Sequence, residues 1–243
     1  MAALVAGVMN AVAGGGSFIA FPTLLFTGVP AIPANATNTV ALWTGLAFSG
    51  GAFRRHVNAQ RRLLAAFVVA SVVGGIIGAL LLLRTPAHTF MRVLPWLMLA
   101  ATLLFIFGRK LTRPGTRMAH EASTNALLLA TGFQFLIAIY GGYFGGGMGI
   151  VMLAMLAALG MADIHQMNAL KVVLNTATNG VAVVIFIASR AVYWKQAVVM
   201  IVGAALGGYF GAHYSLRLSP KLVRGFVIAV GAFMTSYFFL RAY

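Results

Sequence analysis

The chain has 243 residues, 61% hydrophobic and only 8% charged, and its 17 Lys and Arg against 2 acidic residues give a net charge of +15. An ordinary soluble domain carries about a quarter charged residues, so lipid rather than water is the solvent for most of this surface. The two carboxylates, Glu121 and Asp163, lie near the ends of apolar runs and exclude an intramembrane carboxylate relay, while the absence of Cys excludes disulfides and any Cys-ligated metal or redox site.

The first 20 residues lack a basic leading segment and read as mature structure, not as a cleaved signal. They run into Gly14-Gly15-Gly16, and three consecutive glycines disfavour a continuous helix. In lipid, freed backbone groups survive only where protein or a water-filled cavity satisfies them. A helix restarting after such a break aims its N–H groups and positive dipole end at whatever lies ahead, a natural seat for an anion. Gly15 and Gly16 are therefore candidate anion contacts. Pro33 suits the first turn of the next helix, which carries Asn35, Thr37, Asn38 and Thr39. Polar groups there either contact substrate or hydrogen-bond to neighbouring helices. Trp43 lies deeper and reads as packing.

Spanning a bilayer takes roughly 20 apolar residues, and Leu63 to Leu83 supplies them. Its Gly74 and Gly78 read as close helix packing. The basic residues collect in short connections, as at Arg54, Arg55, Arg61 and Arg62 or Arg109, Lys110, Arg113 and Arg117, which encodes orientation rather than nucleic-acid binding. A second interrupted segment, Ser123 to Leu159, is too long for one crossing and is cut by Gly141-Gly142-Tyr143-Phe144-Gly145-Gly146-Gly147. It predicts a broken helix or a hairpin, with Gly146 and Gly147 as contacts. Beyond it, Asn168, Lys171, Asn175 and Asn179 share one helical face. Two readings of Lys171 stand: counter-charge for a bound anion, or a side chain snorkelling to the interface. His165, just before this stripe, is a candidate proton carrier. His56, His88, His120 and His213 fall in loops or near helix ends, and Trp96, Tyr193 and Trp194 read as an interfacial belt. Val172 to Ser189 and Leu222 to Leu240 supply further spans.

The chain is internally duplicated. Gly74-Gly75, Gly78-Ala79 and Arg84 recur as Gly207-Gly208, Gly211-Ala212 and Arg217, an offset of 133 residues, and Asn35-Ala36 recurs as Asn168-Ala169. A single membrane domain, 1–243, thus divides into repeat one (1–112), a linker (113–122) and repeat two (123–243). Each repeat is a Gly-broken helix or hairpin plus three transmembrane helices. Basic residues divide equally well under an inverted or a same-direction arrangement. Inversion is preferred because broken helices in inverted repeats are a recurrent transporter plan, with the site where the repeats meet. It puts the loops around Arg61, Arg113 and Lys221 in the cytoplasm and those around Arg84 and Arg190 outside. No zinc-helix, phosphate-loop or nucleophile-elbow signature is present, so the chain does not read as an enzyme.

The runs Gly14-Gly15-Gly16-Ser17-Phe18-Ile19 with Pro22, Ala34-Asn35-Ala36-Thr37-Asn38, Gly141-Gly142-Tyr143-Phe144-Gly145-Gly146-Gly147-Met148-Gly149 and Asn168-Ala169-Leu170-Lys171 resemble the sulfite exporter TauE/SafE family of membrane transporters. The resemblance spans nearly the whole chain. It implies transport of sulfite or related sulfur-containing anions, often outward, although members are associated with several organosulfur and carboxylate compounds. The expectation is an all-α, multi-pass secondary transporter of the inner (cytoplasmic) membrane that exports a small oxyanion, sulfite or an organosulfonate, by alternating access. An anion channel, an importer and a structural subunit are the other readings. Asn35, Thr37, Asn38, Asn168, Lys171 and Asn175 would contact the anion, with Gly15, Gly16, Gly146 and Gly147 completing the cradle. No metal or other cofactor is expected, and the sequence leaves the oligomeric state open, a homodimer being one option.

Overall fold

The computed structural model describes residues 1–12, 15–53, 61–111, 124–161, 163–214 and 220–243, and among these the chain is helical with no strand. The ten helices are α1 (Ala2–Val12), α2 (Ser17–Phe26), α3 (Ala31–Phe53), α4 (Arg61–Arg84), α5 (Ala87–Leu111), α6 (Thr124–Tyr143), α7 (Met148–Ala158), α8 (Ile164–Ala188), α9 (Trp194–Tyr214) and α10 (Pro220–Ala242). Four stretches, Leu63–Arg84, Ala87–Phe107, Gln166–Ala188 and Gly225–Ala242, are long and apolar enough to cross a bilayer. Large apolar side chains such as Leu129, Val199 and Leu240 project from the outer surface, as lipid allows and water does not. An all-helical build follows from that solvent, because a helix satisfies its own backbone groups.

Both glycine clusters interrupt a helix. Gly15 (φ 144°), Gly145 (φ 78°) and Gly147 (φ 76°) occupy backbone conformations that an L side chain rarely adopts. Past each break a short helix follows, α2 or α7, and each ends alike. Gly28 and Gly160 both take φ 84°, and Val29 N–H donates to Leu24 O at 3.1 Å as Met161 N–H does to Leu156 O at 3.2 Å. This is the Schellman closure that glycine favours. The end of α8 closes the same way, with Ala191 N–H on Phe186 O at 3.0 Å, but the left-handed residue is Arg190 (φ 56°). A non-glycine residue there costs about 1–2 kcal/mol, partly offset by glycine's own entropy loss. Arg190→Gly should therefore stabilise the fold by about 1 kcal/mol, read as a melting temperature a few degrees higher in detergent.

Glycine also sets how closely helices approach. α4 lies along α6, where Gly78 faces the backbone of Ile139 and Tyr143, and Gly142 faces that of Gly75. α1 lies along α9, with Gly7 on the backbone of Ala204 and Gly207 on that of Leu4. α5 packs on α10. α3 and α8 run antiparallel: Thr37, near the start of α3, meets Tyr193 just beyond α8, whereas Trp43, farther along α3, meets Thr176 and Gly180 within α8. The α4–α5 and α8–α9 turns share one end of the molecule, because Tyr143 joins both Asn35 and Thr85 while Thr37, on the same turn of α3 as Asn35, binds Tyr193. Edge-on contacts of Phe21 with Phe90 and Phe144, and of Phe90 with Tyr143, brace the second break from beneath. Trp96, Tyr193 and Trp194 are exposed.

Candidate functional site

The second break is held by side chains that sequence spacing does not reveal. Tyr140, one turn before it, donates its hydroxyl to Gly146 O. Asn35 Nδ2 donates to Tyr143 O at 2.9 Å, satisfying a carbonyl at the end of α6 that has no partner in its own helix. Thr37 Oγ1 accepts the Tyr193 N–H at 3.0 Å and pins the approach to α9. Asn35 and Thr37 are buried and bond to backbone groups, so in this conformation they position the break and the α8–α9 turn.

Between α3, α8 and the starts of α2 and α7 lies a cavity of about 110 Å³. Its polar wall is made by Ser17, Asn38, Thr39, Asn175, Asn179 and the backbone of Gly145, and Trp43 closes one side. Asn38 is 2% exposed; its Nδ2 donates to Ser17 Oγ at 3.2 Å and its Oδ1 has no partner. Asn175 Oδ1 has none either, while Asn179 Nδ2 donates to Asn175 O at 3.0 Å. Trp43 Nε1 donates to Thr176 O at 3.1 Å, and the indole lies over Gly180, where an added methyl would meet Nε1 at 3.4 Å. None of the residues lining this cavity carries a charge. Larger hollows occur on the outer surface, for example over Leu128, Phe133 and Leu136 of α6, where the apolar lining suits acyl chains.

The residues expected to bind an anion therefore separate into three groups. Asn38 and Asn175 meet at the cavity. Asn168 and Lys171 form their own pair, Lys171 Nζ donating to Asn168 Oδ1 at 2.8 Å, outside the lining. The lysine stem runs past Gly149 at the start of α7, where Asn175 Nδ2 also lies; a methyl there would meet Lys171 Cδ at 3.2 Å and Asn175 Nδ2 at 3.5 Å. Asn35 and Thr37 form the third group, outside the lining. Among the glycines, Gly145 rather than Gly146 or Gly147 contributes wall. The Gly146 carbonyl is held by Tyr140, and Gly147 rests on Ala101 of α5. Gly15 abuts Phe105 and Val227, and the Gly16 carbonyl accepts the N–H groups of Ile19 and Ala20. His165 falls in the first turn of α8, with its side chain outside the described residues. Sequence reasoning left out Ser17, Trp43 and Asn179 as wall; Asn179 was visible as the next residue of the α8 stripe, and Ser17 as the first polar side chain after a break.

Residues 1–238 match the sulfite exporter TauE/SafE family. The chain belongs to that family. Proteins similar to it include "Probable membrane transporter protein ORF9" of Sinorhizobium sp, 30% identical over 95% of this chain and 87% of that protein. A "Probable membrane transporter protein" of Haemophilus influenzae is 30% identical over 96% of this chain and 89% of its own length. "Probable membrane transporter protein YfcA" of Escherichia coli K12 is 28% identical over 96% and 86%. No solved structure matches the chain. This TauE/SafE protein is thus a multi-pass member of a membrane transporter family, working in a lipid bilayer on a small-molecule substrate.

The Tyr140 clamp gives a test of the break. Tyr140→Phe leaves the Gly146 carbonyl without its hydroxyl partner, and an unsatisfied buried acceptor costs about 1–3 kcal/mol. The variant should melt lower in detergent.

Proposed function

We propose that the chain is a secondary transporter that moves a small anion out across the cytoplasmic membrane by alternating access, with the cavity between Asn38 and Asn175 as its substrate site. The observation that carries this reading is the convergence of two broken helices and two amide-bearing helices on one uncharged cavity. Substrate sites of this kind sit where two repeats meet. The inverted-repeat plan draws support from paired features: α2 and α7 close on Gly28 and Gly160, and the corresponding helices α3 and α8 run antiparallel. Each half also lays its first helix along the other half's fourth, α1 on α9 and α6 on α4.

Size favours a compact ligand. A cavity of about 110 Å³ suits sulfite better than a long organosulfonate. Lys171 lies one helical turn before Asn175 on the same face and supplies charge compensation from just outside the wall. Asn168 holds that ammonium in place, and Asn35 and Thr37 hold the break and the α8–α9 turn.

A flux panel in proteoliposomes, comparing sulfite, sulfate, thiosulfate, taurine and small carboxylates, tests the proposal. Saturable flux with counterflow for a compact oxyanion is expected; unsaturable conductance would replace the transporter by a channel. Efflux should also be electrogenic, since an inside-negative potential drives anions outward by about 2.3 kcal/mol per charge per 100 mV. Clamping the interior negative with potassium and valinomycin should speed sulfite efflux, and efflux indifferent to the clamp would refute an electrogenic cycle.

A further inference from the structure

We propose that Trp43 is the specificity-determining residue of the cavity: its indole, seated on Gly180 and tied to α8, sets the length of the anion that the cavity admits. This deepens the transport reading above and rests on it. Trp43 lines the cavity and Gly180 does not, so the indole lies between α8 and the cavity. The ring is fixed at both ends. Its Cβ is carried by α3, and its Nε1 donates to Thr176 O at 3.1 Å, a carbonyl in the interior of α8; a carbonyl oxygen has a second lone pair to offer beyond the helix's own bond. Gly180 gives the ring its seat. A methyl added there would meet Nε1 at 3.4 Å, Cζ2 at 3.5 Å and Cε2 at 3.6 Å, which leaves room beneath the ring edge for a methyl and no more. An indole anchored in this way is a fixed wall.

Trp43 and Thr176 are 133 residues apart, the offset at which Asn35-Ala36 recurs as Asn168-Ala169, so they are equivalent positions of the duplication. At the same offset Leu42 and Leu46 correspond to Asn175 and Asn179, and all four line the cavity. The two sides therefore differ. α8 faces the cavity with amides and carries Lys171 one turn before Asn175, whereas the equivalent stretch of α3 presents Leu42, Trp43 and Leu46. An oxyanion is drawn toward α8, where the positive charge is, and whatever it carries on its far side is directed at the Trp43 wall. A compact oxyanion ends short of the ring, and each methylene added to it runs toward the ring. Of the other bulky side chains on the wall, Met148 is flexible and adapts, and Phe144 is held in the edge-on contacts with Phe21 and Tyr140 that brace the break. Trp43 is the one whose size can be changed without disturbing the break.

The test is inhibition of radiolabelled sulfite uptake into proteoliposomes, at zero potential, by linear alkanesulfonates from methanesulfonate to butanesulfonate. All are permanently ionised, so chain length alone varies. In the wild type the inhibition constant is expected to rise by about tenfold or more per methylene, the discrimination that a shaped pocket gives. Trp43→Phe shortens the wall and should move this profile by about one carbon toward longer chains, lowering the constant for propanesulfonate about tenfold relative to methanesulfonate. Gly180→Val puts methyl groups where the ring edge lies, pushes the indole into the cavity, and should move the profile the opposite way. Gly180→Ala fills the space beneath the ring and should leave the profile in place. A merely structural role for the indole would weaken every chain length by one factor. A uniform change or an unmoved profile in Trp43→Phe or Gly180→Val therefore overturns the proposal, as does a wild-type constant that ignores chain length. Where one of the two variants does not reconstitute, the profile of the other decides; loss of all uptake in both also overturns the proposal, because the indole is then needed for the fold and not for size. Absence of saturable sulfite uptake in the wild type overturns the transport reading itself, and this inference with it.

Discussion

Lys171→Gln should weaken binding of the transported anion about a hundredfold, measured as the rise in KM for zero-potential uptake, while Asn175→Ala weakens it by about tenfold at most. Two unit charges about one helical turn apart, roughly 6 Å, attract by about 3 kcal/mol at an effective dielectric constant near 20, whereas one neutral hydrogen bond contributes about 1 kcal/mol net. Asn168 Oδ1 holds the ammonium at 2.8 Å, and the stem is seated against the start of α7, so the charge has little freedom to swing toward either interface. Arg at 171 should also impair uptake, because a planar fork does not fit the seat of a compact ammonium beside Gly149. Asn168→Ala separates the two roles of the pair: it keeps the charge and frees its position, and should cost less than removing the charge. Wild-type affinity in Lys171→Gln would reduce this residue to an interfacial anchor.

Gly78→Val should be the most damaging single substitution to the fold. A Cβ at this position falls on the Ile139 carbonyl and against Tyr143 N at 2.8 Å and Gly142 C at 3.0 Å, all backbone of α6, which no rotamer change can move aside. Overpacking of this kind typically costs 1–3 kcal/mol or more. The damage also travels, because Tyr143 is the residue whose carbonyl Asn35 caps and whose hydroxyl meets Thr85. Displacing α6 therefore strains the break directly above the cavity. Purified variant protein should show a melting temperature many degrees lower than Gly132→Val, since an added Cβ at Gly132 has nothing within 4 Å. Equal melting of the two would refute the close-packing account.

The hydrophobic runs and glycine clusters made the helices and both breaks legible in the sequence, because lipid imposes one rule on every backbone group and glycine is the residue that relaxes it. The glycines at 74 and 78 were also readable as helix contacts, and both lie against backbone of α6. What the sequence could not supply was direction within a polar cluster. Asn35, Thr37 and Asn38 are consecutive enough to look like one site, yet on a helix they point some 100° apart per residue, and only Asn38 reaches the cavity. The same holds for α8, where Asn175 and Asn179 line the wall and Lys171 sits below it. Asn35 and Tyr140 illustrate the other gap: each serves a carbonyl freed by the break, and which carbonyl needs a partner depends on where α6 stops.

The packing of α1 along α9 sets a timetable for synthesis. The groove that receives Gly7 and Leu4 is built by residues beginning at Trp194. The ribosome reaches them roughly 180 residues after α1 has emerged, or about 10–40 s at 5–20 residues per second. For that interval the first helix is without the partner that its glycine face packs against. Until the second half of the chain arrives the Gly7 face of α1 stays unpacked, so depletion of membrane insertases should expose this protein to proteolysis during that interval.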